Sequence, residues 1–308
     1  MWEAVLPQLR SRRAQRRQPA RDDKVVAAWN AQAVQSVATA GALWEDPQAL
    51  QLAESLGERL WGTHAQPAGA HEDPDRPQIR ISRTSYAGVA GPNPGTLSDH
   101  AHTAHACFTL ASTGALAHQW AERGLAVLRF VLTEFVADHN GELQVLDALD
   151  AEGLLAKAQD GAAEATPVDG PEPSSIAALV QALQIAEALG HSSRLPDVGD
   201  RGKLTPQDLL HHLPVVIPKA PLAVGSSLLG ARRAVLGSPA FRVFSAAPTD
   251  LAEVRRRGVL HGVPTEPVDP GAVGQGRPLQ VSICLNSPAA AVCLAPSSSV
   301  DSALAELD

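Results

Sequence analysis

Two groups of polar residues have the chemical types that acid–base catalysis on a polar substrate requires. In the first group, Asp22, Asp23 and Lys24 precede an apolar segment that carries Trp29 and Asn30. Carboxylates in such a group can act as general acid and base, and an indole can stack against a substrate ring. The structural alternative is that an aspartate caps unpaired N–H groups at a helix start and that Trp29 packs in the core. The residue types alone leave both interpretations open.

The second group, Asp99 and His100, follows Ser98 at a predicted helix start. A negative charge at Asp99 favours the helix dipole, whereas the ordinary pKa of a histidine near neutrality suits proton transfer. His102 and His105 lie along the same helix, on the other side of its apolar face from His100. Three ligands therefore do not converge as zinc requires, and we predict no metal site and no cofactor.

These considerations define the candidate site. The candidate catalytic residues are Asp23, Asp99 and His100, and the candidate substrate-binding residues are Asp22, Lys24, Trp29 and Asn30.

Cys107, Cys284 and Cys293 show neither a CxxC pair nor zinc-type spacing. They are predicted to be reduced thiols in a cytoplasmic protein, with a redox pair of Cys284 and Cys293 as the alternative. The arginines near the amino terminus are not followed by the apolar block of a signal peptide. We expect them to form the solvated face of a helix, with phosphate or partner binding as the alternative.

The composition restricts the class of protein. Of the 308 residues, 44% are hydrophobic, which is incompatible with disorder throughout. The net charge of −8 argues against general nucleic-acid binding. The sequence also lacks a run of roughly 20 apolar residues that could span a membrane.

Apolar periodicity and capping signals predict a mainly α-helical chain of antiparallel helix pairs. Helices are predicted over 24–40, 47–61, 98–113, 117–136 and 175–189, with shorter ones over 206–213 and 221–236. Asp46 and Ser174 are the predicted caps of the second and fifth of these helices, and a turn is predicted at 138–141. Pro/Gly-rich connections fall at 63–97 and 161–173. Past residue 238, two short strands around Phe241 and Ile283 flank a loop at 263–278. We expect a helical region over 1–238 and a small α/β segment over 239–308. The helix pairs alone are compatible with a bundle, a superhelix or a closed toroid.

Three segments give the chain a resemblance to a known family. They are residues 21–30 (RDDKVVAAWN), 95–101 (GTLSDHA) and 169–175 (DGPEPSS). In this order they resemble the C-terminal half of the thioredoxin-domain-containing family typified by spermatogenesis-associated protein 20. The resemblance implies a partial α/α toroid, similar to those of N-acylglucosamine 2-epimerases and six-hairpin glycosidases. The family's thioredoxin-like domain has no counterpart here, so we expect a C-terminal fragment or a separately encoded half.

Two functions follow from the resemblance. A toroid of this type implies binding of, or an isomerase- or hydrolase-like reaction on, a small carbohydrate-like metabolite. The alternative is a non-catalytic helical half that docks a thioredoxin-like domain. It is supported by the missing domain, by Ala31 where the family has glycine, and by Ile176 where it has asparagine. A partial toroid should also expose apolar helix faces, which predicts marginal stability or self-association.

Overall fold

The computed structural model describes residues 2–68, 78–149, 164–286 and 291–307. The prediction of a mainly helical chain is confirmed within these residues. The α-helices are α1 Trp2–Ala14, α2 Ala27–Leu43, α3 Pro47–His64, α4 Leu97–Thr113, α5 Ala117–Glu134, α6 Ser175–Ala188, α7 Leu213–Val216, α8 Gly225–Leu236, α9 Pro248–His261 and α10 Val300–Leu304. The strands are β1 Val25–Val26, β2 Ala65–Pro67, β3 Ile79–Ile81, β4 Thr84–Tyr86, β5 Val89–Ala90, β6 Val136–His139, β7 Glu142–Val145, β8 Pro239–Ser245, β9 Gln280–Asn286 and β10 Ala291–Cys293. Parts of the predicted connections, at 69–77 and 161–163, lie outside the described residues.

Helices α2 and α3 form the first pair, joined by a short turn. Asp46 caps α3 by accepting hydrogen bonds from the N–H groups of Gln48 (2.9 Å) and Ala49 (3.3 Å), as its position before a proline predicts. Gly41, predicted to end α2, instead lies inside it. A Cβ there would be 2.9 Å from the Leu50 backbone nitrogen. Glycine at this position therefore lets the two helices approach closely.

Helix α4 lies at the centre of the helical region, in contact with α2, α5 and α6. Nearly all of its residues are buried. Threonine hydroxyls of α4 form hydrogen bonds within the helix. The hydroxyl of Thr103 donates to the carbonyl oxygen of Asp99 (2.7 Å), and that of Thr113 donates to the carbonyl oxygen of Thr109 (2.9 Å). Such internal bonding lets a helix with many polar residues occupy a core position.

Helix α1, which carries several of the amino-terminal arginines, has no buried residue. Its arginines therefore form a solvated helix face, as predicted. Among the described residues, no helix combines the length and apolar character that crossing a lipid bilayer requires.

Buried apolar side chains form two clusters. The larger cluster includes residues from Ala27 to Val224, and the smaller one includes residues from Phe241 to Leu304. The predicted division at 238/239 falls between them and stays a prediction.

The carboxy-terminal segment is built on an antiparallel sheet of order β10–β9–β8. The two predicted strands are present, with Phe241 opposite Ile283 and Val243 opposite Val281. No boundaries were predicted for α9, which precedes the loop. Its sequence is rich in charge and only Leu251, Val254 and Gly258 are buried, so its apolar pattern is weak. Helix α9 packs against α2 and thereby closes one end of the helical region.

Candidate functional site

The three motif segments meet at the amino ends of α2, α4 and α6. Asp99, in the second motif, accepts a hydrogen bond from the Ala28 N–H of the first (3.0 Å). Gln32 of α2 donates to Glu172 in the third motif (3.1 Å). Asp147 joins α4 to α6, because its carbonyl accepts from Leu97 N (2.9 Å) and its carboxylate from Ser175 Oγ (2.8 Å). Sequence segments that are far apart along the chain are thus neighbours in the fold.

Asp99 is fully buried, with 0% of its surface exposed. Besides Ala28 N, its carboxylate accepts from Thr96 N (2.9 Å), Thr96 Oγ1 (3.0 Å) and Arg83 Nη1 (3.1 Å). A carboxylate offers about four acceptor positions, and all are in use. Asp99 therefore caps the start of α4 and also binds the start of α2.

His100 is also buried, and both of its ring nitrogens are engaged. Nδ1 donates to Thr96 O (2.8 Å), and Nε2 accepts from Ile81 N (2.9 Å). The ring stacks on Phe130 at 5.2 Å between centroids. Burial lowers the pKa of His100 to about 4, so the ring is neutral at pH 7. Gly95 makes this arrangement possible, because a Cβ there would be 2.3 Å from Ile81 O.

We name Arg83, Thr96, Asp99 and His100 the amino-end cluster. Its buried polar atoms already have protein partners, and a substrate atom would have to displace one of them. These hydrogen bonds give Asp99 and His100 a structural role. Their catalytic role stays a prediction.

The remaining predicted site residues lie on the surface. Asp23 pairs with Arg21, and Asp22 pairs with Lys24 at 3.4 Å between Oδ2 and Nζ. Hydrogen bonds from Lys24 lower the pKa of Asp22. Neither aspartate caps α2, whose N-cap position is Val26.

Trp29 is 62% exposed, so the structural alternative that it packs in the core is wrong. Helix α2 begins at Ala27 rather than Lys24, since Val25 and Val26 pair with β4. Asn30 is half-buried and donates to Val26 O (2.9 Å). Trp29 is thus placed where it could contact a ligand or a partner, whereas Asn30 is bound to its own helix.

The prediction of reduced thiols is wrong for two of the three cysteines. Cys284 and Cys293 are joined by a disulfide. They are direct partners across β9 and β10, a hairpin that was not predicted from the sequence. The prediction of a cytoplasmic location loses the support of these two thiols. Cys107 is a buried free thiol, and burial raises its pKa to about 12.

A cavity of about 180 Å³ lies at the opposite ends of the helices from the amino-end cluster. Its walls are the carboxyl halves of α2, α4 and α6, together with parts of α8 and α9. We name it the arginine cavity and define it by Thr39, His105, Ser112, Gln184, Arg233 and Arg255.

Several buried polar atoms around the arginine cavity have no hydrogen-bond partner among the described residues. They include Gln184 Oε1, His105 Nδ1 and Arg255 Nε. Gln184 is only 2% exposed, and its Nε2 donates to Gly230 O (2.7 Å), which fixes the other amide atom as the acceptor. Buried polar groups are normally paired. The unpaired ones here mark the cavity as a place where a polar ligand can bind.

The electrostatics of the cavity are set by cations. Burial lowers the pKa of His105 to about 3, and the nearby Arg233 adds to this effect. Arg233 and Arg255 are the described lining residues that carry a charge at neutral pH, and no carboxylate of the described residues lines the cavity. Among the described residues, no group of three or more histidine, cysteine or acidic side chains is placed to hold a metal ion.

The sequence contained no signal for this cavity. Arg233 and Arg255 look like ordinary surface residues of amphipathic helices, and only the packing of α8 and α9 on the helix ends places them inside.

Comparisons with known proteins do not identify a family. No protein-family model matches the chain, and no curated protein matches it. The resemblance described above stays a prediction.

Proposed function

We propose that this chain is an α/α-toroid-type protein that binds a small, polar, carbohydrate-like metabolite in the arginine cavity. The observation that carries the proposal is the cavity itself, with its unpaired polar atoms on several walls. Cavities between packed helices are common ligand sites, and a few converging polar groups set their specificity. A volume of about 180 Å³ suits a small molecule rather than a polymer.

The packing of the helices supports a toroid. Helix α4 lies between α2 and α6, while α3 packs mainly on α2 and α5 packs mainly on α4. In the proposed arrangement α2, α4 and α6 are inner helices, while α3 and α5 are outer helices. The inner helices then present their carboxyl halves to the arginine cavity.

Binding rather than a specific reaction is the function that the geometry favours. In the amino-end cluster, the hydrogen-bonding atoms of Asp99 and His100 are all bound to protein groups, and Asp23 forms an ion pair on the surface. An isomerase- or hydrolase-like reaction therefore has no described residues in position to perform it at that end of the helices.

The proposal is tested by titrating the chain with hexoses, sugar acids and sugar phosphates in an isothermal calorimeter. Thr39 is exposed and borders the cavity, so Thr39→Trp should obstruct it without disturbing the core. We expect at least one compound to bind the unmodified chain, and Thr39→Trp to abolish that binding. Leu52→Trp, at an exposed position of α3, is the matched control. Absence of binding by the whole panel, or binding that is unchanged in Thr39→Trp, would overturn the proposal.

A second candidate function is the docking of a thioredoxin-like domain or of a second copy. It is favoured by exposed apolar residues near the start of α2, namely Trp29, Tyr86 (64% exposed) and Val89 (71% exposed). Sedimentation velocity should show self-association, or a complex with an added thioredoxin-like domain, that is lost in Trp29→Ser/Tyr86→Ser. If the unmodified chain sediments as a monomer and binds no such domain, this second function is rejected.

A further inference from the structure

Arg233 is a cation for which the described residues provide no counter-ion. It lies on α8 and borders the arginine cavity, where it is partly buried. Among the described residues it has neither a hydrogen bond nor an ion pair. Burial lowers the pKa of Arg233, and the neighbouring Arg232 lowers it further. Removing a guanidinium from water is unfavourable unless another group compensates it.

The guanidinium of Arg233 lies beside Gly262. This glycine ends α9 in the left-handed region, with φ of 70°. A Cβ there would be 3.4 Å from Arg233 Nη2, so the guanidinium lies close against the end of α9.

Arg255 reaches the cavity from α9 and is only partly satisfied. Its Nη2 donates to Gly114 O (2.9 Å), while its Nε has no partner among the described residues. Glu54 opposes the effect of burial on the pKa of Arg255. It forms no ion pair with Arg255, and its carboxylate accepts from Ala115 N (2.7 Å). The Nε–H of Arg255 is thus available to a further acceptor.

A second, outer cavity adjoins the first and shares Arg233 with it. Its other charged lining residues are Arg232, Arg257 and Asp301, of which Arg257 and Asp301 are paired. This basic region occurs on a chain whose net charge is −8. A local charge opposite to that of the whole protein attracts ligands of the other sign.

The uncharged groups of the arginine cavity complete the pattern. Gln184 Oε1 requires a donor, such as a ligand hydroxyl. Ser112 Oγ accepts from Thr265 N (2.8 Å), which leaves its hydroxyl proton available to a ligand oxygen. The walls therefore offer cationic donors, the Ser112 hydroxyl as a neutral donor and the Gln184 amide oxygen as an acceptor.

We infer that the ligand of the arginine cavity is a small hydroxylated anion, whose carboxylate or phosphate binds Arg233 and Arg255 and whose hydroxyl donates to Gln184. This inference rests on the proposed function and specifies its ligand class. Guanidinium groups suit both anions, because they donate charge-assisted hydrogen bonds to either.

The test is calorimetric titration of the full chain with four probes: glucose 6-phosphate, glucuronate, glucose and inorganic phosphate. We expect one of the two charged sugars to bind at least about tenfold more tightly than glucose. Whichever charged sugar binds better shows whether the anion is a phosphate or a carboxylate. Arg233→Gln should weaken that binding by about tenfold to a hundredfold.

Arg232→Gln is the matched control, since Arg232 precedes Arg233 on α8 and lines only the outer cavity. It should change the affinity by no more than about threefold. Arg233→Lys keeps the charge and should retain most of the binding, which separates a charge effect from a folding defect.

The outcomes distinguish the two proposals. Equal binding of glucose and the charged sugars, unaffected by Arg233→Gln, would overturn the anion inference and leave the binding function intact. Binding of inorganic phosphate alone, lost in Arg233→Gln, would retain the anion site but overturn both the hydroxylated ligand and the carbohydrate proposal. If none of the four probes binds, both proposals fail.

Discussion

The amino-end cluster and the arginine cavity lie at opposite ends of the same helices and differ in how their polar atoms are used. At the amino end, Asp99 and His100 are buried and every one of their polar side-chain atoms has a partner. In the cavity, Gln184 and Arg255 each have a buried polar atom without one. Asp99 and His100, whose residue types are typical of catalytic sites, thus stabilise the fold. The candidate binding site is lined instead by Arg233 and Arg255, which the sequence alone does not distinguish from surface arginines. Whether a buried polar atom already has a hydrogen-bond partner, rather than its residue type, therefore distinguishes the structural residues from those of the candidate site.

Acid should produce the largest effect on the chain and should affect both regions. Burial lowers the pKa of His100 in the amino-end cluster to about 4 and that of His105 in the arginine cavity to about 3. The unfolded chain therefore binds protons below about pH 6.5 that the folded chain does not, and the free energy of unfolding decreases as the pH falls. Each histidine contributes on the order of 3 kcal/mol of this loss by pH 4. Far-UV circular dichroism should show unfolding between pH 6 and 4.

The matched control is His139→Gln, because His139 is exposed and should not move the acid midpoint. A chain that keeps its native spectrum at pH 3.5 would contradict the burial of these histidines. NMR sharpens the comparison, since a bound anion should raise the pKa of His105 in the cavity and leave that of His100 unchanged.

Removing the carboxylate of the amino-end cluster should have the next largest effect. Asp99→Ala leaves Ala28 N and Thr96 N without partners and Arg83 without its ion pair, which should lower the free energy of unfolding by about 3–5 kcal/mol. Equilibrium urea unfolding measures this loss. Asp23→Ala, at an exposed carboxylate, should change it by less than about 0.5 kcal/mol. Equal effects of the two substitutions would remove the distinction between a structural Asp99 and a surface Asp23.

Removal of an exposed helix cap should lower the free energy of unfolding by an amount between those expected for Asp99→Ala and Asp23→Ala. Asp46 caps α3 with the same type of hydrogen bond that Asp99 makes, but at the surface. Asp46→Ala should cost about 1 kcal/mol, measured in the same urea experiment, whereas Asp46→Asn should cost less. A loss as large as that of Asp99→Ala would show that burial is not the source of the difference.

The sequence predicted local features well. The caps Asp46 and Ser174 are present, and the turn predicted at 138–141 joins β6 to β7 with Asn140 and Gly141 at positive φ. These features depend on neighbouring residues and on periodicity. Asp99 bonded to Ala28, and Arg233 beside the carboxyl half of α4, depend on how distant elements pack. Periodicity places a residue on a helix face but does not indicate what covers that face.

Substitution in the arginine cavity should have the smallest effect on the unliganded chain. Arg233 has no partner among the described residues, so Arg233→Gln should change the free energy of unfolding by less than about 0.5 kcal/mol or increase it slightly. Differential scanning calorimetry without ligand measures this directly. A clear loss of stability would instead assign Arg233 a structural role, like that of Asp99.

The most direct measurement is urea unfolding of the unmodified chain and of Arg233→Gln, each with and without glucose 6-phosphate and glucuronate. A ligand that binds only the folded state stabilises it by about 2.7 kcal/mol at a hundred times its Kd. We predict that one of these anions stabilises the unmodified chain and has no effect on Arg233→Gln, while the two proteins are equally stable without ligand. The same response to each anion in both proteins, or a large loss of stability in Arg233→Gln alone, would contradict the division between a structural amino end and a binding cavity.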